Sequence, residues 1–204
     1  DNTLWGGVVG EDGIDGIKLG PTPEGRPFLE FQQILLSYYK RGIILAVNSK
    51  NNYEDAINAI NNHHNMILRE KYFAALRINW DNKASNIIQL AKELNIGIDS
   101  MVFIDDDPAN RALVSNALPE VFVLDLPRDP SKYVDSLKNL NVFNNLFLTK
   151  EDKAKGKLYA DEKNRRILKN KSIKIDDYLS DLNIKVKLHK NLDSTIQRIS
   201  QLTQ

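Results

Sequence analysis

The stretch MVFIDDDPANRALV, residues 101–114, decides the fold. Its first four residues form an apolar run that is too short for a helix and typical of a buried strand. Three aspartates follow directly, and the proline after them is favoured in the first turn of a helix. A buried strand with acidic residues at its carboxyl end, followed by a helix, is typical of a parallel α/β sheet.

Strands and helices are predicted to alternate along most of the chain. Short apolar runs predict strands over 43–47, 101–104 and 121–124. Helical spacing of apolar residues predicts helices over 27–42, 53–64, 81–97 and 129–140. This alternation predicts an α/β fold with a central parallel sheet covered by helices on both faces, a three-layer, Rossmann-like arrangement.

Composition limits the classes of protein to which the chain can belong. Of its 204 residues, 42% are hydrophobic, which is enough to bury a core. Because 28 basic residues nearly balance 27 acidic ones, we predict neither a nucleic acid nor a membrane surface as a partner. The sequence has no cysteine, which excludes disulfides, thiolate metal ligands and cysteine nucleophiles within it. No apolar stretch is long enough to span a bilayer, and the cytoplasm is the predicted location.

The chain changes character near residue 149. We assign residues 1–148 to a first domain and the highly charged residues 149–182 to a helical connecting arm. The run IKVKLH, residues 184–189, alternates apolar and polar residues as a strand does, and an amphipathic helix begins after it. Residues 183–204 are therefore predicted to begin a second α/β domain.

Polar residues that can hold a metal ion and a phosphate lie at the ends of the predicted elements. Ligands of parallel α/β sheets bind where the strands end at their carboxyl edge. Carboxylates bind hard cations such as Mg²⁺, whereas a lysine and a hydroxyl bind phosphoryl oxygens. The implied chemistry is Mg²⁺-dependent phosphoryl transfer. The candidates combine these residue types: Asp1, Thr3, Ser49, Asn51, Lys83, Asp105 and Asp106.

Some of these residues also have a plain structural interpretation. Asp1 and Ser49 could cap a turn or a helix, and Lys83 could be a surface lysine. For Asp107, which directly precedes the proline, a helix N-cap is the favoured role. The two preceding aspartates place like charges at a buried edge, which is costly without a cation and therefore favours a metal site.

Two histidines and two tryptophans are interpreted without a catalytic role. No carboxylate or cysteine stands at a ligand-like spacing from His63 and His64, so we predict surface or partner contacts for them. Trp80 is predicted to lie in the core or in an interface. Trp5 and the glycines that follow it are predicted to form a flap beside the site.

Several separate motifs resemble one family. DNTLWGGVVGEDGIDGIKLG, AVNSKN, NWDNKASNI, VFIDDDPANR, DPSKY and RISQLTQ are similar, in order and spacing, to the FkbH-like branch (class IIIC) of the haloacid dehalogenase (HAD) superfamily. The resemblance implies the HAD fold, Mg²⁺ as cofactor and an aspartate nucleophile two residues before Asp1. FkbH-like proteins of polyketide and related pathways dephosphorylate 1,3-bisphosphoglycerate and load the glyceryl group onto an acyl carrier protein. Their C-terminal part resembles a GNAT-type acyltransferase, which residues 183–204 would begin.

The resemblance also implies roles for the candidate residues. Asp1 would be the general acid and base, and Lys83 would be catalytic as well as holding the phosphoryl group. The implied metal ligands are Asp1, Asp105 and Asp106. The implied contacts to substrate are Thr3, Ser49, Asn51 and Lys83.

One residue departs from the family pattern. Members that load glycerate typically have cysteine where this chain has Asn48. An amide is neither ionisable near neutral pH nor nucleophilic, so it cannot carry an acyl group as a thioester.

Two hypotheses follow. The first is a Mg²⁺-dependent phosphatase or phosphotransferase that acts on a small phosphorylated metabolite, such as an acyl phosphate, with transfer to an acyl carrier protein as the family-based extension. The second is a non-catalytic binding or scaffolding module of the same fold.

Overall fold

The structure, a computed structural model, describes residues 1–143, 155–156, 158–159, 161–162 and 165–166. The chain divides into two units, Asp1–Asn164 and Arg165–Gln204, and the fold described below is that of the first. The described residues of the predicted arm are helical. The rest of the arm and all of residues 183–204 lie outside the described residues, so the predicted domain limits stay predictions.

Helices and strands alternate through the first unit. The elements are, in chain order, α1 (Val9–Gly16), α2 (Arg26–Lys40), β1 (Leu45–Ser49), α3 (Tyr53–Asn62), β2 (Phe73–Ile78), α4 (Lys83–Leu94), β3 (Val102–Phe103), α5 (Pro108–Ala117), β4 (Phe122–Val123) and α6 (Tyr133–Lys138). Short 3₁₀ turns cover Glu70–Tyr72, Ile98–Ser100, Pro130–Lys132 and Asn141–Phe143. No helix among the described residues is both long and apolar enough to cross a bilayer.

The strands pair in parallel, as the alternation predicts. β1 pairs with β2, with Ser49 opposite Ile78 at the carboxyl end. β3 pairs with β4, with Val102 opposite Phe122. In the described part of the chain these are two separate two-stranded sheets, whereas the sequence predicts one central sheet. Among the described residues no backbone ladder joins the two pairs. One apolar cluster combines residues of β1 and β2 with Ile104 and Leu124, which directly follow β3 and β4.

Three elements differ from the sequence-based expectation. β1 begins two residues later than predicted and extends through Ser49. The sequence FAALRI does not predict β2, because it lacks alternation and is poor in β-branched residues; the strand forms by pairing with β1 and packing against α4. The opening segment contains α1, which Gly13 interrupts with a φ of 68°, a conformation that glycine adopts without strain.

Helix α2 fixes the first residues of the chain relative to α6. Phe31 is fully buried in α2, and its ring lies edge-on to Tyr133 with the ring centroids 5.5 Å apart. Gln32, also fully buried, donates a hydrogen bond of 2.7 Å to the carbonyl of Leu4. Because one helix holds both Leu4 and Tyr133, residues that are far apart in sequence meet beside the strand ends.

Candidate active site

The seven residues predicted for the site lie together at the carboxyl ends of β1 and β3. The chain connects the residues that are adjacent or nearly adjacent in sequence, and side-chain contacts connect the others. The site is therefore one continuous cluster, while the chemical role of each member stays a prediction. The connecting contacts are Asp1 with Asn51, Asn51 with Ser49, Thr3 with Asp106, and Lys83 with Asp105.

Uncharged donors hold the Asp1 carboxylate. Its Oδ1 accepts hydrogen bonds from Nε1 of Trp5 (2.9 Å) and from the backbone N–H of Val9 (3.1 Å). Its Oδ2 accepts one from Nδ2 of Asn51 (3.0 Å), which lies 3.1 Å from Oγ of Ser49. Val9 begins α1, and a helix N-terminus favours a nearby negative charge. The opening segment and the residues after β1 therefore orient Asp1 jointly.

Lys83 and Asp105 form a buried ion pair. Nζ of Lys83 lies 3.1 Å from Oδ2 of Asp105, and their side chains are only 8% and 7% exposed. The same Nζ donates a 2.6 Å hydrogen bond to the carbonyl of Asn48, at the end of β1. The interpretation of Lys83 as a surface lysine is therefore wrong; it is the first residue of α4, which begins two residues later than the predicted helix over 81–97. Its position between β1 and β3 follows from the start of that helix.

Both carboxylate oxygens of Asp105 already have protein partners. While Oδ2 contacts Lys83, Oδ1 accepts hydrogen bonds from the backbone N–H of Asp107 (3.0 Å) and from Nδ2 of Asn110 (3.2 Å). The charge of Asp105 is thus compensated within the protein. Its predicted role as a metal ligand stays a prediction.

Asp106 differs from its neighbour because its carboxylate has little compensation. Oγ1 of Thr3 donates a hydrogen bond of 3.0 Å to its Oδ1. No lysine or arginine side chain among the described residues forms an ion pair with it. Burial raises the pKa of the Asp106 carboxyl, and the negative charge of Asp105 raises it further, against the effect of the Thr3 hydrogen bond. A nearby cation would remove this cost.

The carboxylates suit a magnesium ion that takes few protein ligands. Within the described residues, no three His, Cys, Asp or Glu side chains converge closely enough to enclose a metal ion. Mg²⁺ usually binds one or two carboxylates and completes its shell with waters and substrate phosphate. Asp106 is the better suited of Asp105 and Asp106 to bind Mg²⁺, since it is partly buried and its charge is less compensated by protein groups.

The start of α5 shapes the backbone around these aspartates. Oδ1 of Asp107 accepts a hydrogen bond from the N–H of Ala109 (2.8 Å), so its predicted role as helix N-cap is confirmed. Nη1 of Arg111 donates to the carbonyls of Asp105 (2.9 Å) and Asp106 (2.8 Å). Arg111 therefore fixes the turn that presents both carboxylates. The sequence alone does not reveal this, although the residue lies within the quoted VFIDDDPANR motif.

Tyr133 is a further residue beside the candidate site; it lies within the quoted DPSKY motif, but the sequence alone does not reveal its role. It is 2% exposed, and its hydroxyl donates a 3.0 Å hydrogen bond to the carbonyl of Asn2. Burial, followed by the charge of Asp106, raises the pKa of Tyr133 to about 12. Asn2 has a left-handed φ of 47°, which asparagine tolerates, and it turns the chain between Asp1 and Thr3. Tyr133 secures that turn.

His63 lies elsewhere than the sequence predicts, and of the two locations predicted for Trp80 the structure excludes the core. His63 is only 4% exposed, so the prediction of a surface contact is wrong; it ends α3 under the opening segment, where its Nδ1 accepts a hydrogen bond from the N–H of Asn65. Trp80 is 69% exposed, so it does not lie in the core. It follows β2, where its Nε1 lies 3.3 Å from Oδ1 of Asn52. Local residue type does not determine burial at such loop positions.

Comparison with known proteins gives one informative similarity. No family model matches the chain, and no curated protein matches it. A solved crystal structure does: the N-terminal part of the protein BF1531 from Bacteroides fragilis, which contains a phosphatase domain and is complexed with Mg. The TM-score is 0.69 and the sequences are 45% identical over 71% of this chain. This chain spans 39% of the length of the crystallised one. The described α/β unit with parallel strands is therefore similar, in fold and in sequence, to a phosphatase domain.

Proposed function

We propose that this chain is the phosphatase domain of a Mg²⁺-dependent enzyme of the HAD type that acts on a small phosphorylated metabolite. The observation that carries the proposal is the cluster at the strand ends, where Lys83, Ser49 and three carboxylates meet. The 45% identity to a phosphatase domain complexed with Mg supports it independently.

The cluster contains groups suited to each requirement of phosphoryl transfer. The Lys83 ammonium and the Ser49 hydroxyl are suited to hold phosphoryl oxygens. Asp1 is held by neutral donors and is suited to exchange a proton with the leaving group and then with water. The family resemblance implies that the nucleophile is an aspartate two residues before Asp1. When bound at Asp106, Mg²⁺ would supply positive charge beside the phosphoryl group.

The FkbH-like resemblance extends the proposal to a substrate and an acceptor. An acyl phosphate such as 1,3-bisphosphoglycerate is the substrate we propose to test first, with an acyl carrier protein as acceptor. The amide of Asn48 excludes a thioester at that position, since it offers no thiolate. We therefore propose phosphate release as the reaction of this chain, and any acyl transfer must proceed without covalent attachment at residue 48.

The test measures Mg²⁺-dependent phosphate release by protein that carries the aspartate expected two residues before Asp1. Substrates are acetyl phosphate, 1,3-bisphosphoglycerate and a panel of phosphate monoesters, each with Mg²⁺ or with EDTA. We expect release with Mg²⁺ and a loss of at least about a hundredfold in Asp106→Asn. Asp107→Asn is the matched control, since asparagine is also a good N-cap and should retain activity.

Two results would contradict the proposal. Undiminished phosphate release by Asp106→Asn would remove the metal assignment. Mg²⁺ binding measured by calorimetry, together with no phosphate release from any substrate of the panel, would favour the non-catalytic binding module instead.

A further inference from the structure

A network of three asparagine amides, centred on the fully buried Asn86, adjoins Ser49 and Lys83 of the cluster. Nδ2 of Asn86, in α4, donates to Oδ1 of Asn48 (3.1 Å) and to Oδ1 of Asn79 (2.9 Å). Asn86 is fully buried, and the N–H of Asn79 bonds to the carbonyl of Ser49 (3.0 Å). The network therefore joins the end of β1, the loop after β2 and the first turn of α4.

Asn48 contacts Lys83 in two ways. Nδ2 of Asn48 donates a 2.9 Å hydrogen bond to the backbone carbonyl of Lys83. The backbone carbonyl of Asn48 accepts the 2.6 Å hydrogen bond from Nζ of Lys83. The main chain and the ammonium group of Lys83 are thus both tied to one residue of β1, and Asp105 holds the ammonium from the other side at 3.1 Å.

The side chain at position 48 must donate and accept at the same time. Its acceptor oxygen serves Asn86, and its donor nitrogen serves the carbonyl of Lys83. An amide provides both functions, whereas a carboxylate provides only acceptors and a thiol provides weak versions of each. An aspartate here would place a negative oxygen against the Lys83 carbonyl. The environment of residue 48 therefore specifies an amide chemically.

We propose that Asn48 is a positioning residue, whose amide fixes the first turn of α4 so that the Lys83 ammonium stays between β1 and Asp105. This inference rests on the proposed function, because it names the residue that sets where Lys83 meets the phosphoryl group.

The first readout follows Lys83 without reference to activity. The ammonium ¹H–¹⁵N signal of Lys83, assigned with Lys83→Met, is recorded at low temperature for the wild-type chain and for Asn48→Ala. Two fixed acceptors should slow proton exchange in the wild type, and we expect this protection to be lost in the variant. The control is Tyr38→Phe, which removes a buried hydrogen bond of 2.6 Å to the carbonyl of Leu137 and should keep the Lys83 signal.

The second readout separates binding from turnover. With p-nitrophenyl phosphate and Mg²⁺, we expect Asn48→Ala to raise KM by between about 10-fold and about 100-fold, since a misplaced lysine weakens contact with the phosphoryl group. We expect the smaller change in kcat. The protein again carries the aspartate expected two residues before Asp1.

A second variant covers the case in which Asn48→Ala does not fold. Asn48→Asp keeps an acceptor for Asn86 but replaces the donor to the Lys83 carbonyl with a negative oxygen that repels it, so it should also displace the first turn of α4, with a loss of protection and a rise in KM. A wild-type Lys83 signal together with a wild-type KM in a folded variant overturns the inference. If the wild-type protein releases no phosphate, the proposed function fails, while the Lys83 signal still decides whether Asn48 positions that residue.

Discussion

The ends of β1 and β3 carry the two halves of one site, but with opposite chemistry. At the end of β1 the side chains that face the candidate site are uncharged, namely the amides of Asn48 and Asn51 and the hydroxyl of Ser49, while the intervening Lys50 is exposed. Three consecutive aspartates follow β3. At β1 the side chains act by hydrogen bonding, which fixes neighbours in place. At β3 the dominant requirement is compensation of negative charge.

The negative charges of the three aspartates after β3 are compensated to different extents. Asp105 has a buried lysine, and Asp107 caps α5, where a helix N-terminus favours negative charge. Within the described part of the chain, Asp106 has only the Thr3 hydroxyl as a side-chain donor, and burial raises the pKa of its carboxyl. From this comparison we predict that a cation binds at the least compensated carboxylate, Asp106, and that the number of aspartates does not decide its position.

The largest loss of stability is expected from removing the Lys83 charge, which compensates Asp105 after β3. Lys83→Met leaves Asp105 buried without a cation and should lower the free energy of unfolding by about 3 to 5 kcal/mol. Urea denaturation without Mg²⁺ measures this. Lys50→Met is the matched control, because Lys50 is exposed after β1 and should change stability by less than about 0.5 kcal/mol.

A double variant tests whether Lys83 stabilises the protein through its charge. Lys83→Met combined with Asp105→Asn removes both charges, and we expect it to recover part of the lost stability. Equal losses in the single and double variants would show that Lys83 contributes packing rather than charge compensation.

A smaller effect is expected at the β1 end. Asn51→Ala removes the hydrogen bond to the Asp1 carboxylate and the contact with Ser49, at a cost of about 2 kcal/mol, since hydrogen bonds to charged groups are the stronger ones. Thermal and urea unfolding measure the loss. Asn139→Ala, whose side chain is exposed after α6, should cost less than about 0.5 kcal/mol. A cost at Asn51 equal to that of Lys83→Met would remove the distinction between the two strand ends.

The smallest effect is expected at Tyr133, which secures the turn at Asn2. Tyr133→Phe loses one neutral hydrogen bond and should cost about 1 kcal/mol at neutral pH. The half-exposed Tyr53 gives a control, Tyr53→Phe, that should be nearly neutral.

The effect of Tyr133 also depends on pH in a defined direction. Folding raises its pKa from 10.0 to about 12, so its contribution to stability is complete below pH 10 and is lost as the pH rises toward 12. We expect Tyr133→Phe to reduce the loss of stability over that interval. If wild type and Tyr133→Phe lost stability equally between pH 10 and pH 12, the raised pKa of Tyr133 would be contradicted.

Much of the fold follows from local patterns in the sequence. Short apolar runs predict β3 and β4, helical spacing predicts α2, α3 and α4, and a proline after an aspartate predicts the start of α5. β2 is the instructive failure. Its sequence carries no strand period, and the neighbours that make it a strand, β1 and α4, are contributed by other segments.

Local sequence patterns predict the residue types at the ends of the elements: the aspartates after β3, the serine and asparagines at β1, and the lysine at the start of α4. These are local properties, because capping and periodicity act over a few residues. Which of these residues compensate one another depends on the packing of distant segments. The partners of Thr3 and Tyr133 lie 103 and 131 residues away, and burial, which sets the pKa of Asp106, depends on everything packed around it.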